Sequence, residues 1–405
     1  MNINISLPGL EEFIIKNSFE NEGIFQLHLE LEKKLHECPS CHHMTSSTHD
    51  YRNQKIQHTK IFSRETKIIY RKRRYICKHC NKRFYEDNNL VEKYQRQSLE
   101  LKQSIALELV HGKSFKDVAK RFNTSSTTVI RRFDSINSSM LEKPKQLPEI
   151  IAIDEYKGDA GGEKYQTIIA DPVNRKPLEI LPDRRKSTVK EYLKKYGEKV
   201  KMVVMDMSPS FKAAVDQALD YPIVIADRFH FCRYIYWALD RVRIKVQKDF
   251  HNYDRKKCKR MRHVFYKPHE NLTEKQRWYL NRYLSMSDYL TKAYWLKEAY
   301  RYWFEESKLI GDTDLITVKQ RLYEFYNLVQ ESHIEEFQKA IETFKNWQKE
   351  ILSSFAFNLH NGYIEGINNQ TKVIKRNAFG FKRFDRFRLK VLLYHQYKDK
   401  NLRVS

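Results

Sequence analysis

The sequence predicts a multidomain α/β chain, and three observations carry that expectation. Two Cys-x-x-Cys pairs stand near the N-terminus, three short amphipathic helical stripes follow them, and from residue 150 onward short β-branched runs alternate with helical patterns. The chain has 405 residues, 41% of them hydrophobic, enough for several separate cores. Lys and Arg number 75 against 51 Asp and Glu, a formal charge of +24 that attracts polyanions in a salt-dependent way. Nucleic acid is the partner this favours. No apolar run approaches the roughly 18 residues that a spanning helix needs, and the start Met-Asn-Ile-Asn lacks a signal peptide's basic and apolar blocks. A soluble cytoplasmic protein, associated with DNA and not with membrane, is the expectation.

Residues 1–95 are expected to form a zinc-ribbon domain. Phe25, Leu27, Leu29 and Leu31 alternate with period two and predict a strand. Cys38-Pro-Ser-Cys41 and Cys77-Lys-His-Cys80 are 35 residues apart, and each two-residue gap lets a tight turn aim both sulfurs at one point. Cys38, Cys41, Cys77 and Cys80 are therefore the expected Zn²⁺ ligands, with His42, His43 and His79 as neighbours. Cys232 and Cys258 stand alone, which fits a reducing compartment better than a disulfide framework. Arg71, Lys72, Arg73 and Arg74, on a predicted hairpin strand, read as a basic edge suited to phosphates.

Residues 96–142 predict a helix-turn-helix domain. Leu99, Ile105, Ala106 and Leu109 form one stripe; Ser114 caps a second helix with Phe115, Val118, Ala119 and Phe122 inward; a third begins at Ser126 with Val129, Ile130 and Phe133 inward. Thr127, Thr128, Arg131 and Arg132 then face outward, as a recognition helix presents polar and basic groups to a major groove. A linker follows at 142–148, where two prolines block helix continuation.

Residues 143–250 are expected to be the first part of a catalytic domain. The run Ile150-Ile-Ala-Ile-Asp154 is a buried strand that delivers an acid, followed by strands at 165–170 and 178–181. Three antiparallel strands with the acid on the first open a ribonuclease H-like sheet. Strands at 201–205 and 222–226 complete a mixed five-stranded sheet, the first ending at Asp206 and the second at Asp227-Arg-Phe-His230. Glu155 alternates to the opposite face from Asp154. Residues 251–357, rich in aromatic and basic residues at helical spacing, are expected to be an all-helical insertion. Residues 358–405 are expected to close the catalytic domain, carrying Glu365 on a helix whose polar face repeats Asn368, Lys372, Lys375 and Arg376. Gly366, in that helix, costs about 1 kcal/mol relative to Ala and points to a packing or close-approach reason for its presence. Phe379 to Arg388 interleaves Phe with basic residues, expected to pack rings on the sheet and turn charge toward DNA.

Three converging carboxylates repel one another and are stable mainly around a cation; oxygen-only ligands favour Mg²⁺ or Mn²⁺. Two such ions about 3.5 to 4 Å apart activate a water or a 3′ hydroxyl in phosphodiester cleavage and strand transfer. The order of zinc ribbon, helix-turn-helix, Ile-Asp154-Glu-Tyr, Met-Asp206-Met-Ser, Ala-Asp227-Arg-Phe-His230 and Asn361-Gly-Tyr-Ile-Glu365-Gly-Ile-Asn resembles the bacterial insertion-sequence transposases of the ISL-three group. The resemblance implies a DDE triad of Asp154, Asp206 and Glu365 with divalent cations, acting on terminal inverted repeats and target DNA of a chromosome or plasmid, with a homodimer in the synaptic complex. The spacing from Glu365 to Lys372 matches other DDE transposases, whereas Asn358 and Asn361 stand where their upstream tyrosine and arginine would be. A DNA-binding regulator without activity and a nuclease that cleaves without joining are the competing readings.

Overall fold

A computed structural model describes residues 7, 9–136, 141, 145–378 and 380–398. The described residues fall into two compact units. One holds the chain up to 141 together with 374–378, 380, 381 and 385–398; the other holds 145–373 and 382–384. The expected linker lies in part outside the described residues, at 142–144, as does position 379 of the expected aromatic tail.

The first unit is built on a sheet of β1 (Phe13–Asn21), β2 (Ile24–Leu31), β5 (Thr48–Ile61), β6 (Arg64–Ile76) and β7 (Arg83–Tyr85). Its order is β1-β2-β6-β5, with β7 pairing β6. The period-two pattern at 25–31 does form β2, and it buries Leu27 and Leu29 against Ile56, Ile68 and Tyr70. Two short strands, β3 (His36–Glu37) and β4 (Met44–Thr45), flank the first cysteine pair. Three helices follow: α1 (Leu99–Val110), α2 (Phe115–Arg121) and α3 (Ser126–Ile136). Ser98 and Ser114 cap the first two, each hydroxyl accepting a backbone N–H of the first turn.

These helices do not stand apart from the sheet. The Gln57 amide on β5 donates to the carbonyls of Phe122 and Asn123 at 2.9 and 3.1 Å. A last helix, α15 (Phe384–Tyr397), adds Leu389 and Leu393 to the buried cluster of Leu101, Ile105, Leu109, Val118, Val129 and Phe133. Phe381 meets Phe115 edge-on, with ring centroids 6.5 Å apart. Phe381 thus packs on the helix-turn-helix instead of on the catalytic sheet, whereas Phe384 stays with the second unit beside Gly161. Spacing reveals that a ring is buried but does not reveal its neighbours.

The second unit holds β8 (Ile150–Tyr156), β9 (Gln166–Asp171), β10 (Lys176–Leu181), β11 (Met202–Met205) and β12 (Ile223–Ala226) in the order β10-β9-β8-β11-β12. β9 runs antiparallel to β8 and β10, while β11 runs parallel to both β8 and β12. Strand β9 is buried along its whole length, as its Ile168-Ile-Ala core requires. Between the parallel strands lie α4 (Lys186–Tyr196) and α5 (Pro209–Ala218), the latter capped by Ser208 with proline at its first position.

From α6 (Arg228–Val246) the chain is helical: α7 (Asn252–Arg260), α8 (Arg262–Tyr266), α9 (Glu274–Leu284), α10 (Asp288–Ile310), α11 (Leu315–Ser332), α12 (Glu335–Asn346), α13 (Gln348–Ala356) and α14 (Gly362–Asn377). Tyr294, Tyr300, Trp303, Phe337 and Phe344 share one core with Ile151, Ile153, Val203 and Met205 of the sheet, so these periodic aromatics are packing residues.

Candidate active site and nucleic-acid interface

The parallel pairing of β8, β11 and β12 sets Met205 opposite both Ile153 and Ala226. The next residue in each strand is an acid, so Asp154, Asp206 and Asp227 form one row across three neighbouring strands near their carboxyl ends. The Asp227 N–H continues the ladder to the Met205 carbonyl at 2.8 Å. Open α/β sheets bind ligands at that edge.

Burial, reinforced by the charges of Asp206 and Asp227, pushes the Asp154 carboxyl up to about 7. Two donors partly offset this: the Glu155 N–H reaches Asp154 Oδ1 at 2.8 Å, and the Asn368 amide reaches Oδ2 at 2.9 Å. Asp206 is pushed up to about 6 by burial and then by Glu155 and Asp227. Its Oδ1 is buried with no hydrogen-bond partner. These acids are hard oxygen donors of the kind a divalent cation takes, and one oxygen is left without a partner, but among the described residues they form no group of three whose ligand atoms lie within 4.8 Å of one another. Asp227 is buried, accepts the Asn361 N–H at 3.2 Å, and stands 3.7 Å from His230 Nε2.

Glu365 lies in α14 between Asn361, the residue before the helix, whose N–H meets Asp227, and Asn368, whose side-chain amide meets Asp154. It is exposed, and no hydrogen bond joins it to the row. A Cβ on Gly366 would meet nothing within 4 Å, so the expected close approach is absent among the described residues. Lys372 is exposed one turn beyond Asn368; Arg376 is exposed and Lys375 part-buried, and both belong to the first unit. Arg184 donates from Nη1 to both carboxylate oxygens of Glu155 at 3.0 Å, and its guanidinium lies 4.5 Å over the Tyr165 ring. Asn361 was visible in the sequence as the residue just before that helix, and Asn368 at helical spacing from Glu365. Their acid partners were not, because those lie 134 and 214 positions away.

In the first unit, the thiols of Cys38, Cys41, Cys77 and Cys80 all lie within 4.8 Å of one another. Cys38 and Cys80 are 3.5 Å apart, as are Cys41 and Cys77, close to the roughly 3.8 Å edge of a tetrahedral four-sulfur zinc site. The two knuckles are built alike. Cys38 N and Cys77 N donate to the carbonyls of His43 and Lys82, and His42 and Asn81 each adopt positive φ. The cluster fits Zn²⁺. His43 and His79 stack at 3.9 Å beside it.

The outward face of α3 carries exposed Thr127 and Arg131, while Thr128 is part-buried and its N–H donates to Ser125 Oγ at 3.1 Å. Arg132 is part-buried and reaches Gln95 and Gln97 at 3.4 and 3.5 Å. The expected basic edge at 71–74 needs correction. Arg73 is 3% exposed and bridges Glu30 and Glu86 at 2.6 and 3.2 Å, while Arg74 pairs with Asp50 at 2.7 Å. Arg71 is exposed and lies 3.3 Å from Glu30, and Lys72 lies 5.1 Å from the Tyr85 ring, so Arg73 and Arg74 are the two of the four whose charges the sheet takes up.

A cysteine cluster that fits zinc and a helix-turn-helix in one unit, with a row of acids in the other, define a DNA-binding protein with a candidate metal centre. Comparison with known families makes that specific. The transposase model of the ISL3 family, with its DDE domain, matches residues 151–391; the helix-turn-helix domain of transposase family ISL3 matches 86–137; and the zinc-finger of transposases IS204, IS1001, IS1096 and IS1165 matches 34–80. The chain belongs to the ISL3 transposase family. It is 24% identical over 390 residues to the transposase for insertion sequence element IS1001 of Bordetella parapertussis, covering 90% of each chain. A shorter match, 29% identical over 116 residues, covers 29% of this chain and 34% of a protein described as an ATP-dependent protease of Lactococcus lactis subsp. lactis. No described helix is long and apolar enough to cross a membrane.

Proposed function

We propose that this chain is a DDE transposase whose second unit is a ribonuclease H-like catalytic domain interrupted by the helices of 251–357, and that Asp154, Asp206 and Glu365 are its catalytic acids. The observation that carries the reading is the in-register acid row, crowded enough to raise two of its members, with the Glu365 helix tied to it through Asn368 and Asn361.

Each side chain has a distinct task. Asp154 is fixed in orientation by its two donors, so one carboxylate is pre-aimed before substrate arrives. Asp206 offers an unpartnered oxygen. Asp227 anchors the turn that begins the Glu365 helix, through the Asn361 N–H. Glu365, exposed between the two anchoring asparagines, is free to swing toward the row when substrate binds. Asp154, Asp206 and Glu365 would hold Mg²⁺ or Mn²⁺, which supplies charge to acidify a water or a 3′ hydroxyl and to stabilise the departing oxygen. Lys372, Lys375 and Arg376 take DNA phosphates, as does Arg184 when Glu155 releases it. Thr127, Thr128 and Arg131 contact the terminal inverted repeats, with Arg132 joining them if it leaves Gln95 and Gln97. A homodimer that synapses both element ends, acting on chromosomal or plasmid target DNA in the cytoplasm, completes the reading.

Incubating the protein and Mg²⁺ with DNA carrying the element's ends tests it. Joined product supports transposition; cleavage alone points to a nuclease, and binding without cleavage to a regulator. Normal cleavage by Asp206→Asn would overturn the assigned acids.

A further inference from the structure

Helix α6 begins at the residue after Asp227 and leads away from the acid row. Its outer face carries two large aromatics that no core explains: Phe229 is 59% exposed and Trp237 is 43% exposed. Between them, at successive four-residue steps, stands Arg233. Its guanidinium lies 5.5 Å from the Phe229 ring and 4.5 Å from the Trp237 ring. The three planar groups form a ladder with about 6 Å of helix rise per step. Arg241 continues the same face and is exposed, as is Lys245, whose Nζ lies 3.7 Å from Glu336 and 5.1 Å from the Tyr289 ring. The helix's one acid, Asp240, is engaged by Arg243 at 2.6 Å.

Flat rings spaced by a guanidinium, exposed and followed by cations, match the faces and phosphates of an unpaired nucleic-acid strand. Bases inside a duplex have both faces covered by neighbours, so such a ladder has nothing to stack on until a strand is separated. Aromatic rings with Arg also mark protein interfaces; here the chain's formal charge of +24 favours a polyanion over a protein. The geometry points to Phe229, Arg233 and Trp237 as a stacking platform for unpaired nucleotides of a DNA strand next to the acid row, with Arg241 and Lys245 on its phosphates. This inference rests on the reading of the row as a DNA-cleaving site. It adds that strands are locally unpaired there and names the side chains that hold the bases.

The test uses the full-length protein, zinc retained and no Mg²⁺ or Mn²⁺, with fluorescent 12-nucleotide oligothymidylate and a 20-base-pair duplex of arbitrary sequence as probes. Loss of each ring should weaken oligothymidylate binding roughly tenfold. Phe229→Ala/Trp237→Ala should therefore lose about a hundredfold for the single strand, while duplex binding, carried by the first unit, changes less than about threefold. Trp237→Phe, which keeps a stacking face, should recover most of the loss. Unchanged single-strand affinity in the double variant overturns the platform. An equal loss for both probes also overturns it, since that reports general charge or fold. So does a changed oligomeric state on sedimentation with single-strand binding intact, which would make the face an interface between copies. The cleavage reading fails separately: Asp206→Asn that still cuts DNA sinks the acid assignment without altering these cation-free affinities.

Discussion

Replacing Asp206 by asparagine should make the cation-free protein more stable, not less, at alkaline pH. In the wild type this carboxyl is raised from 3.8 to about 6 by burial and the charges of Glu155 and Asp227. A shift of about two units corresponds to ~3 kcal/mol, or about 2 kcal/mol after allowing for the open side of the site. A raised carboxyl favours the fold while protonated. Its contribution is therefore whole below about pH 4 and is lost as pH rises through about 6; for Asp154, raised to about 7, the loss extends to about 7. Asparagine carries no charge to bury, and it relieves Asp154 of its second-largest perturbation. At pH 8, with zinc retained and Mg²⁺ and Mn²⁺ absent, Asp206→Asn should raise the melting temperature of the second unit by about 4–8 °C. At pH 4 the two proteins should melt together. Adding Mn²⁺ at a hundredfold excess over its Kd should stabilise the wild type by ~2.7 kcal/mol and the variant by far less. Differential scanning calorimetry reads all three comparisons. A variant less stable than wild type at pH 8 without cation, or one that Mn²⁺ stabilises equally, would refute the claim that these acids are held together for a cation.

Glu365→Gln should abolish cleavage of element ends while leaving end affinity within about twofold, because Glu365 supports neither the fold nor the helix-turn-helix; gel-shift and cleavage assays on one preparation check both. Asn368→Ala removes the amide that steadies ionised Asp154, so the acidic limb of the pH–rate profile should move up by about one unit, and an unmoved limb would deny the contact any role. Arg73→Met strands Glu30 and Glu86 in the sheet interior and should cost about 3–5 kcal/mol, read as an earlier unfolding transition of the first unit. Cys77→Ser should empty the cysteine cluster of zinc by atomic absorption and weaken binding to element ends, with the second unit's melting unchanged.

What the sequence determined by itself was everything that depends on near neighbours. The knuckle spacing defined the cysteine cluster, Ser114 and Ser126 marked helix starts, and β-branched runs ending at Asp154, Asp206 and Asp227 marked strands that deliver acids. These are short-range effects, in which turn geometry and side-chain period act over a few residues. Tertiary structure alone decided which of those signals meet. Asp227 belongs beside Asp154 and Asp206 because β12 pairs parallel to β11, a choice no local pattern encodes. Arg73 reads as a surface cation until Glu30 and Glu86 close around it, and Phe381 reads as part of the sheet until Phe115 receives it. A side chain's periodicity fixes the direction it points, but its energy and its chemistry are set by what stands there, and that is supplied by other segments of the chain, 43 positions away for Glu30 at Arg73 and 214 for Asn368 at Asp154.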